Sequence, residues 1–384
     1  MDFTFTDEQE AVAESARGVF EGVATSERVS AVEGTDDRFD PELWAELARA
    51  NLLGVAVPET YGGSGLGMTE ICLVLEQQGR TVAPIPLWAT LVLGAMPIAR
   101  FGSDELKNAL LPGVVSGDVR LSAAITEVAA SPSRTASIRA ERDGDGWRLW
   151  GTSLAVPQAH LSKGVVVPAQ TEDGQVVVVL DPRAAGAELE RATTTDRQVH
   201  PHLHLEGARA DAAATLGGPG RGPYIVEWII ERALVGLCAV QLGVTEEAIR
   251  RAAAYVDQRH QFGRPLSSFQ GTMLRAADAY IDSEAIRVTT WQAAWRLDTD
   301  RPASDAAQVA AWWASEAGQR VVHTTQHLHG GIGADVSYPI HRYFFWGKQI
   351  ELMMESPHAQ LARLGRNIAE RVLVSAGEEP GSSR

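Results

Sequence analysis

The stretch Asp257-Gln258-Arg259-His260-Gln261-Phe262-Gly263-Arg264-Pro265-Leu266, followed by Ser268-Phe269-Gln270, separates two long helical runs. Arg259 lies at the end of the first run. Its guanidinium is a planar fork of donors that matches phosphate oxygens better than the point charge of a lysine. Phe262 can pack beside a flat base, and Gly263 permits a sharp exit from the turn. An arginine alone at such a place reads as a solvated helix end, so the surrounding text has to decide its meaning.

Downstream, helical patterning covers residues 266–298, 304–329 and 340–354, and Ser356-Pro357 caps a last helix to about residue 372. Upstream, the run 224–258 is apolar nearly all round as far as Val244, which suits a helix buried among others or at a subunit interface. Before it the period changes. Trp147-Arg148-Leu149-Trp150-Gly151, Gly164-Val165-Val166-Val167 and Val176-Val177-Val178-Val179-Leu180 are short β-rich runs bounded by Gly, Asp and Pro. Residues 1–120 are helical again. Thr6-x-x-Gln9 predicts a capping box, and Asp40-Pro41 predicts an N-cap with proline at the first helical position. Another helix is expected from about Thr69 to Gly79. Between these helices, Val57-Pro58-Glu59 and Tyr61-Gly62-Gly63-Ser64-Gly65 form a turn that no helix could cross. The expected fold is α+β, with an N-terminal helical domain over 1–120, a middle β-barrel or sandwich domain over 121–220, a C-terminal four-helix bundle over 221–375, and a disordered tail over 376–384.

The chain has 384 residues, 45% of them hydrophobic and 22% charged, so it is expected to be a folded, soluble protein. A net charge of −15 repels phosphate backbones and argues against generic nucleic-acid binding, while leaving room for one local basic site. Cys72 and Cys238 sit in apolar helical text and match no metal-ligand spacing; they read as buried, reduced thiols. His200, His202 and His204 alternate and would share one face of a strand, but no carboxylate or cysteine shell accompanies them. A polar strand face is therefore preferred to a metal site. Trp312-Trp313 and the pair Trp291 and Trp295 read as packing residues. Met1-Asp2-Phe3-Thr4 starts no signal peptide and no run spans a bilayer, so a cytoplasmic location with no membrane span is expected.

The motif at 257–270 closely resembles the acyl-CoA dehydrogenase family, and the likeness extends along nearly the whole chain. It includes Val57-Pro58-Glu59 with Tyr61-Gly62-Gly63-Ser64-Gly65, and His329-Gly330-Gly331-Ile332-Gly333 with Tyr338-Pro339. The resemblance implies tetramers built on the bundle, with FAD shared between neighbouring subunits. It places Arg259 and Gln261 on the pyrophosphate side of FAD, with Phe262 and Gly263 in the same turn, and Gln270 on the adenosine side. Gly330, Gly331 and Gly333 would let backbone approach the cofactor, although a bare Gly-Gly is usually a helix C-cap. His327 stands where the family commonly has glutamine.

The rest of the family's site is altered. Its base, a glutamate that takes an α-proton from the acyl thioester, would fall on Met354, and methionine cannot accept a proton. Glu355 is one residue off, about 100° around a helix; a solvated or capping carboxylate is its simpler reading. The alternative base position of some relatives falls on Ala233, with Glu231 two residues away. The family's flavin-facing Gly-Ser-Asp element is replaced within Thr126-Glu127-Val128-Ala129-Ala130-Ser131-Pro132-Ser133, and its tryptophan-bearing strand corresponds to Ser153-Leu154-Ala155-Val156-Pro157.

A closer likeness, to the non-catalytic subunit of actinobacterial α2β2 acyl-CoA dehydrogenases acting on steroid (cholesterol side-chain) thioesters, is carried by four segments. They are Gln292-Ala293-Ala294-Trp295-Arg296, Ser315-Glu316-Ala317-Gly318, His327-Leu328-His329-Gly330-Gly331 and His341-Arg342-Tyr343-Phe344. This likeness implies no catalytic residue and no metal in this chain. It also implies a homologous catalytic partner that binds most of the acyl-CoA, and an electron-transfer acceptor for the complex. Two other readings stay open: a self-sufficient homotetrameric dehydrogenase using Glu355, and a purely structural partner without flavin contact.

Overall fold

A computed structural model describes residues 4–131, 133–218 and 220–377. The N-terminal helices are α1 (Asp7–Val23), α2 (Ser26–Glu33), α3 (Pro41–Arg49), α4 (Met68–Thr81), α5 (Met96–Phe101) and α6 (Asp104–Ser116). The predicted capping box is formed. Thr6 Oγ1 accepts from Gln9 N–H at 3.2 Å, and Gln9 Oε1 accepts from Thr6 N–H at 3.1 Å. Asp40 Oδ1 accepts from the N–H groups of Glu42 and Leu43, and Pro41 opens α3 as expected.

α4 has no such local cap, because Gly67 precedes it. Asp298 fills the role from a distant helix, accepting from Met68 N–H at 2.6 Å and Thr69 N–H at 2.8 Å. A Cβ on Gly67 would lie 2.4 Å from Asp298 Oδ1, so the glycine makes room for this cap.

The middle region takes the form of one seven-stranded sheet. It comprises β1 (Leu121–Ala123), β2 (Arg139–Asp143), β3 (Gly146–Ser153), β4 (Gly164–Thr171), β5 (Gly174–Leu180), β6 (Ala187–Glu190) and β7 (His202–Ala210), with the short helix α7 (Thr126–Ala130) after β1. The order is β1-β4-β2-β3-β7-β6, and β5 pairs with β4. β7 explains the histidine alternation. Leu203 and Leu205 enter the core while His202 and His204 share the half-buried opposite face. His200 lies before the strand and is itself buried, so the three imidazoles do not share a face. Among the described residues no cluster of His, Cys, Asp or Glu is arranged to hold a metal.

The helical bundle follows: α8 (Gly222–Gln258), α9 (Gln270–Asp298), α10 (Ser304–His329), α11 (Ile340–Met353) and α12 (Pro357–Gly377), with the two-residue strands β8 (His260–Gln261) and β9 (Arg264–Pro265) between α8 and α9. The helix expected from residue 266 begins at Gln270, because Leu266–Ser268 closes a 3-10 turn under the small hairpin. At the other end α12 continues to Gly377, so the expected tail does not begin at 376; residues 378–384 lie outside the described residues. From Ala233 to Thr245 every residue of α8 is buried, as its all-round apolar text requires. Cys72 and Cys238 are free, buried thiols. No helix among the described residues is long and apolar enough to cross a membrane.

α4 lies directly on α8. A Cβ on Gly79 would fall 2.0 Å from Val240 O, and one on Gly243 1.9 Å from Glu76 O, so only glycine permits this crossing. The close contact buries Glu76. Burial, then the neighbouring Glu246 carboxylate, push its carboxyl up to about 7, against the opposing pull of Arg287, Arg80 and Arg17. Unfolded, that carboxyl would ionise near 4.5. Between these two values the folded chain keeps a proton that the unfolded chain releases, so stability falls as pH rises, by about 1.4 kcal/mol per pH unit for this group. Urea unfolding from pH 5 to pH 8 is expected to show this decline. Glu76→Gln should flatten it and be the more stable form at pH 8; identical slopes for the two proteins would refute the assignment.

Candidate cofactor site

The hairpin after α8 exposes the residues singled out in the sequence. Arg259 caps α8 with its backbone, donating N–H to Tyr255 O at 2.9 Å, while its carbonyl accepts from Leu266 N–H at 2.8 Å. Arg259, Gln261 and Gln270 are exposed, and among the described residues their side chains make no hydrogen bond or ion pair. Phe262 and Gly263 form the hairpin tip at φ +54° and +80°. Glycine tolerates that region; phenylalanine adopts it only at a cost of about 1–2 kcal/mol. Phe262 is nevertheless 92% exposed, its ring in an edge-to-face arrangement with Phe269 at a centroid distance of 6.2 Å. A strained backbone presenting an uncovered aromatic ring is a common mark of a binding site.

The C-terminal end of α10 reaches the same end of the bundle. His329 stacks on Tyr255 at 4.7 Å and lies 5.3 Å from Tyr338. It is buried, and burial lowers its pKa. Its Nδ1 is 2.7 Å from Thr325 O, while Nε2 has no hydrogen-bond partner. His327, two residues earlier, is exposed. Gly330 ends the helix at φ +61°, and a Cβ on it or on Gly331 would meet nothing within 4 Å. Gly333 is buried, its carbonyl accepting from Gln326 Nε2. Two segments far apart in the chain thus form one open edge of uncommitted donors, backbone and an aromatic ring.

The region around residues 126–134 and 153–157, expected from the sequence to correspond to the family's flavin-ring half, has the opposite character. Arg134, just beyond the altered 126–133 segment, donates from Nε to Glu227 of α8 at 2.8 Å and lies 3.8 Å from Glu355. Glu355 accepts from Arg363 at 2.8 Å. Arg134 and Arg363 both donate to Ala129 O. The side chains of Arg134, Glu355 and Arg363 are 11%, 8% and 12% exposed, so the lattice is largely out of water. Backbone donors of the 153–157 segment are also engaged. Glu127 Oε2 accepts from Leu154 N–H, His202 Nδ1 from Ala155 N–H, and Pro201 O from Val156 N–H. Met354, the residue expected from the sequence at the family's base position, is fully buried with its sulfur 4.0 Å from Cys238 Sγ. Glu231 is half-buried beside Arg232; burial raises its pKa, opposed by that arginine. Nothing in the linear text announces the lattice, since Arg134 and Glu227 are 93 residues apart.

Models of the acyl-CoA dehydrogenase N-terminal and C-terminal domains match residues 6–118 and 220–353. The chain belongs to the acyl-CoA dehydrogenase family. The acyl-CoA dehydrogenase FadE27 of Mycobacterium tuberculosis is 37% identical over 379 residues, covering 96% of this chain and 99% of that one. Among solved structures, a variant of the Tcur3481-Tcur3483 steroid ACAD aligns with a TM-score of 0.90 at 45% identity, covering 96% of this chain and 99% of its own. The ChsE4-ChsE5 complex from Mycobacterium tuberculosis aligns with a TM-score of 0.90 at 36% identity, covering 99% and 100%. The helical, sheet and helical order is the fold of this family, and members of the family bind FAD.

FAD needs donors for its pyrophosphate, room for its adenosine, and a slot with free backbone donors for its ring. The 259–270 hairpin and the 327–333 helix end fit the first two. The lattice around Arg134 does not fit the third. Because Glu355 serves two buried guanidinia, Glu355→Gln should cost about 3 kcal/mol of stability in urea unfolding, through the charges it strands. A cost within error of zero would mean that the lattice is not formed.

Proposed function

We propose that this chain is the non-catalytic subunit of a heteromeric, FAD-dependent acyl-CoA dehydrogenase that forms an α,β double bond in an acyl-CoA thioester of the steroid side-chain class. Its contribution is the pyrophosphate and adenosine half of a cofactor site completed by a homologous catalytic partner. The observation that carries this reading is the contrast between uncommitted donors at Arg259, Gln261 and Gln270 and the ion-paired closure around Arg134 and Glu355. The likeness to the steroid ACAD and the ChsE4-ChsE5 complex supports both the substrate class and the presence of a partner chain.

Arg259 would hold the pyrophosphate by charge-assisted hydrogen bonds, Phe262 would be covered by the adenine or the partner, and Gly330, Gly331 and Gly333 would admit backbone close to the adenosine. His327 would supply an imidazole where relatives offer an amide. A bound FAD would supply the hydride acceptor, the base for the α-proton would come from the partner, and an electron-transfer acceptor would serve the complex. Glu355 does not suit the base role, because its carboxylate is held by Arg363 with Arg134 alongside.

Purified alone, the chain is expected to be colourless and inactive. Co-expressed with a neighbouring acyl-CoA dehydrogenase, it should give a yellow α2β2 complex with one flavin per two chains. Arg259→Ala should weaken FAD retention by the complex at least tenfold, as expected for a lost charge-assisted hydrogen bond of about 1.5–3 kcal/mol. Glu355→Gln should leave turnover per flavin within twofold. A homotetramer that oxidises a thioester with flavin in every protomer would overturn the proposal, and unchanged flavin content in Arg259→Ala would reduce the chain to a structural partner.

A further inference from the structure

Where the C-terminal end of α4, the later part of α8 and the start of α11 meet the α1–α2 turn there is a second hollow of about 460 Å³, whose Pro339 follows Tyr338 and whose Arg251 lies one turn before Tyr255. That volume suits a small-molecule pocket. The whole chain is acidic, with 34 basic against 49 acidic side chains, yet this hollow is lined by Arg80, Arg250, Arg251 and Arg342 against only Glu21 and Glu247.

The neighbouring carboxylates are stretched thin. Glu246 pairs with Arg80 and Arg287, Glu247 with Arg250 and Arg251, and Glu33 with Arg342 and, at 3.8 Å, with Arg197. Each of these three carboxylates answers two guanidinia, and on the wall itself four guanidinia face the two carboxylates Glu21 and Glu247, an excess of positive charge.

Several donors there lack acceptors. Arg342 is 6% exposed and engages Glu33 through Nε alone, at 3.0 and 3.1 Å; among the described residues neither Nη group has a hydrogen-bond partner. Arg80 uses only Nη1, on Glu246. Arg251 Nε lies 2.8 Å from Glu247 Oε1, and its guanidinium lies 5.2 Å from the centre of the Tyr343 ring. Guanidinium N–H groups left free on the wall of a hollow are available to an anion through charge-assisted hydrogen bonds. The three guanidinia come from three different helices. A flat carboxylate offers two oxygens in one plane, whereas a terminal phosphate offers three in a tetrahedral arrangement and can be reached from three sides. α2 also begins here, with Thr25 as its N-cap and Ser26 as its first residue, and its dipole favours an anion.

We propose that the hollow between the α1–α2 turn, the end of α4, the later part of α8 and the start of α11 binds a small phosphate-bearing molecule, separately from the cofactor edge. Occupancy would tie the N-terminal helices to the bundle through Arg80, Arg251 and Arg342.

The test is titration calorimetry on the full chain carrying Arg259→Ala, so that anions at the cofactor edge are not counted. The probes are pyrophosphate, AMP and citrate at fixed ionic strength. The expected result is saturable binding of pyrophosphate or AMP at one site per chain, with citrate at least tenfold weaker. Pyrophosphate binding alone would indicate an inorganic ligand; tighter binding of AMP would indicate a nucleotide. Arg342→Gln should weaken binding at least tenfold. Because that change also strands Glu33, Ser26→Glu is the second variant. It places a carboxylate in the hollow at a helix N-terminus that favours acids, removes no ion pair, and should weaken binding by a similar factor with an unaltered melting temperature. Absence of saturable phosphate binding at millimolar probe, equal affinity for citrate, or binding unaffected by Ser26→Glu would each overturn the proposal.

Discussion

The close passage of α4 over α8 is the constraint on which the rest of the molecule depends. Gly79 and Gly243 allow the two backbones to approach until a methyl group on either would lie about 2 Å from a carbonyl oxygen of the other helix. That contact joins the N-terminal helices and the bundle into one hydrophobic core, to which Val166, Val177 and Val179 of the sheet also contribute. It carries a penalty in buried charge, since Glu76 and Glu246 are taken out of water together and only Arg80, Arg287 and Arg17 offset them. With α8 held in this way, its two ends serve different neighbours. Glu227 near its start meets Arg134, and Arg259 at its end is left facing solvent.

The two regions expected to correspond to the ring and adenosine halves of the cofactor site therefore differ in electrostatic state. On one side the carboxylates Glu227 and Glu355 are committed to Arg134 and Arg363, and the backbone N–H groups of residues 154–156 are committed to Glu127, His202 and Pro201. Opening that side would mean breaking a buried ion-pair lattice and reclaiming bonded donors, each step costing several kcal/mol. On the other side nothing has to be broken. Arg259, Gln261 and Gln270 have no internal partner among the described residues, and Phe262 holds a strained conformation with its ring in water.

Much of the fold could be read along the line. The capping box at Thr6 and Gln9, the Asp40-Pro41 start, the valine-rich strands and the all-round apolar run of α8 depend on neighbours within a few residues, and the structure has them in place. Helix α9 shows where such reading drifts. Leu266 and Ser268 carry helical patterning, yet the backbone hydrogen bond from Leu266 to Arg259 holds them in the turn. The π-helical stretch Ala89–Ala95, which precedes α5 and is buried throughout, left no recognisable mark in the text.

The sequence by itself determined the order of helices and strands and the identities of Met354, of Arg259 with Gly263, and of Gly330, Gly331 and Gly333. These follow from residue identity and short-range spacing. Only the tertiary structure decided that Glu355 is immobilised by Arg134 and Arg363, that Asp298 caps α4 from 230 residues away, and that four arginines from three helices surround one hollow. Such pairings arise when helices pack, because charge and hydrogen-bond complementarity act through space and leave no periodicity along the chain.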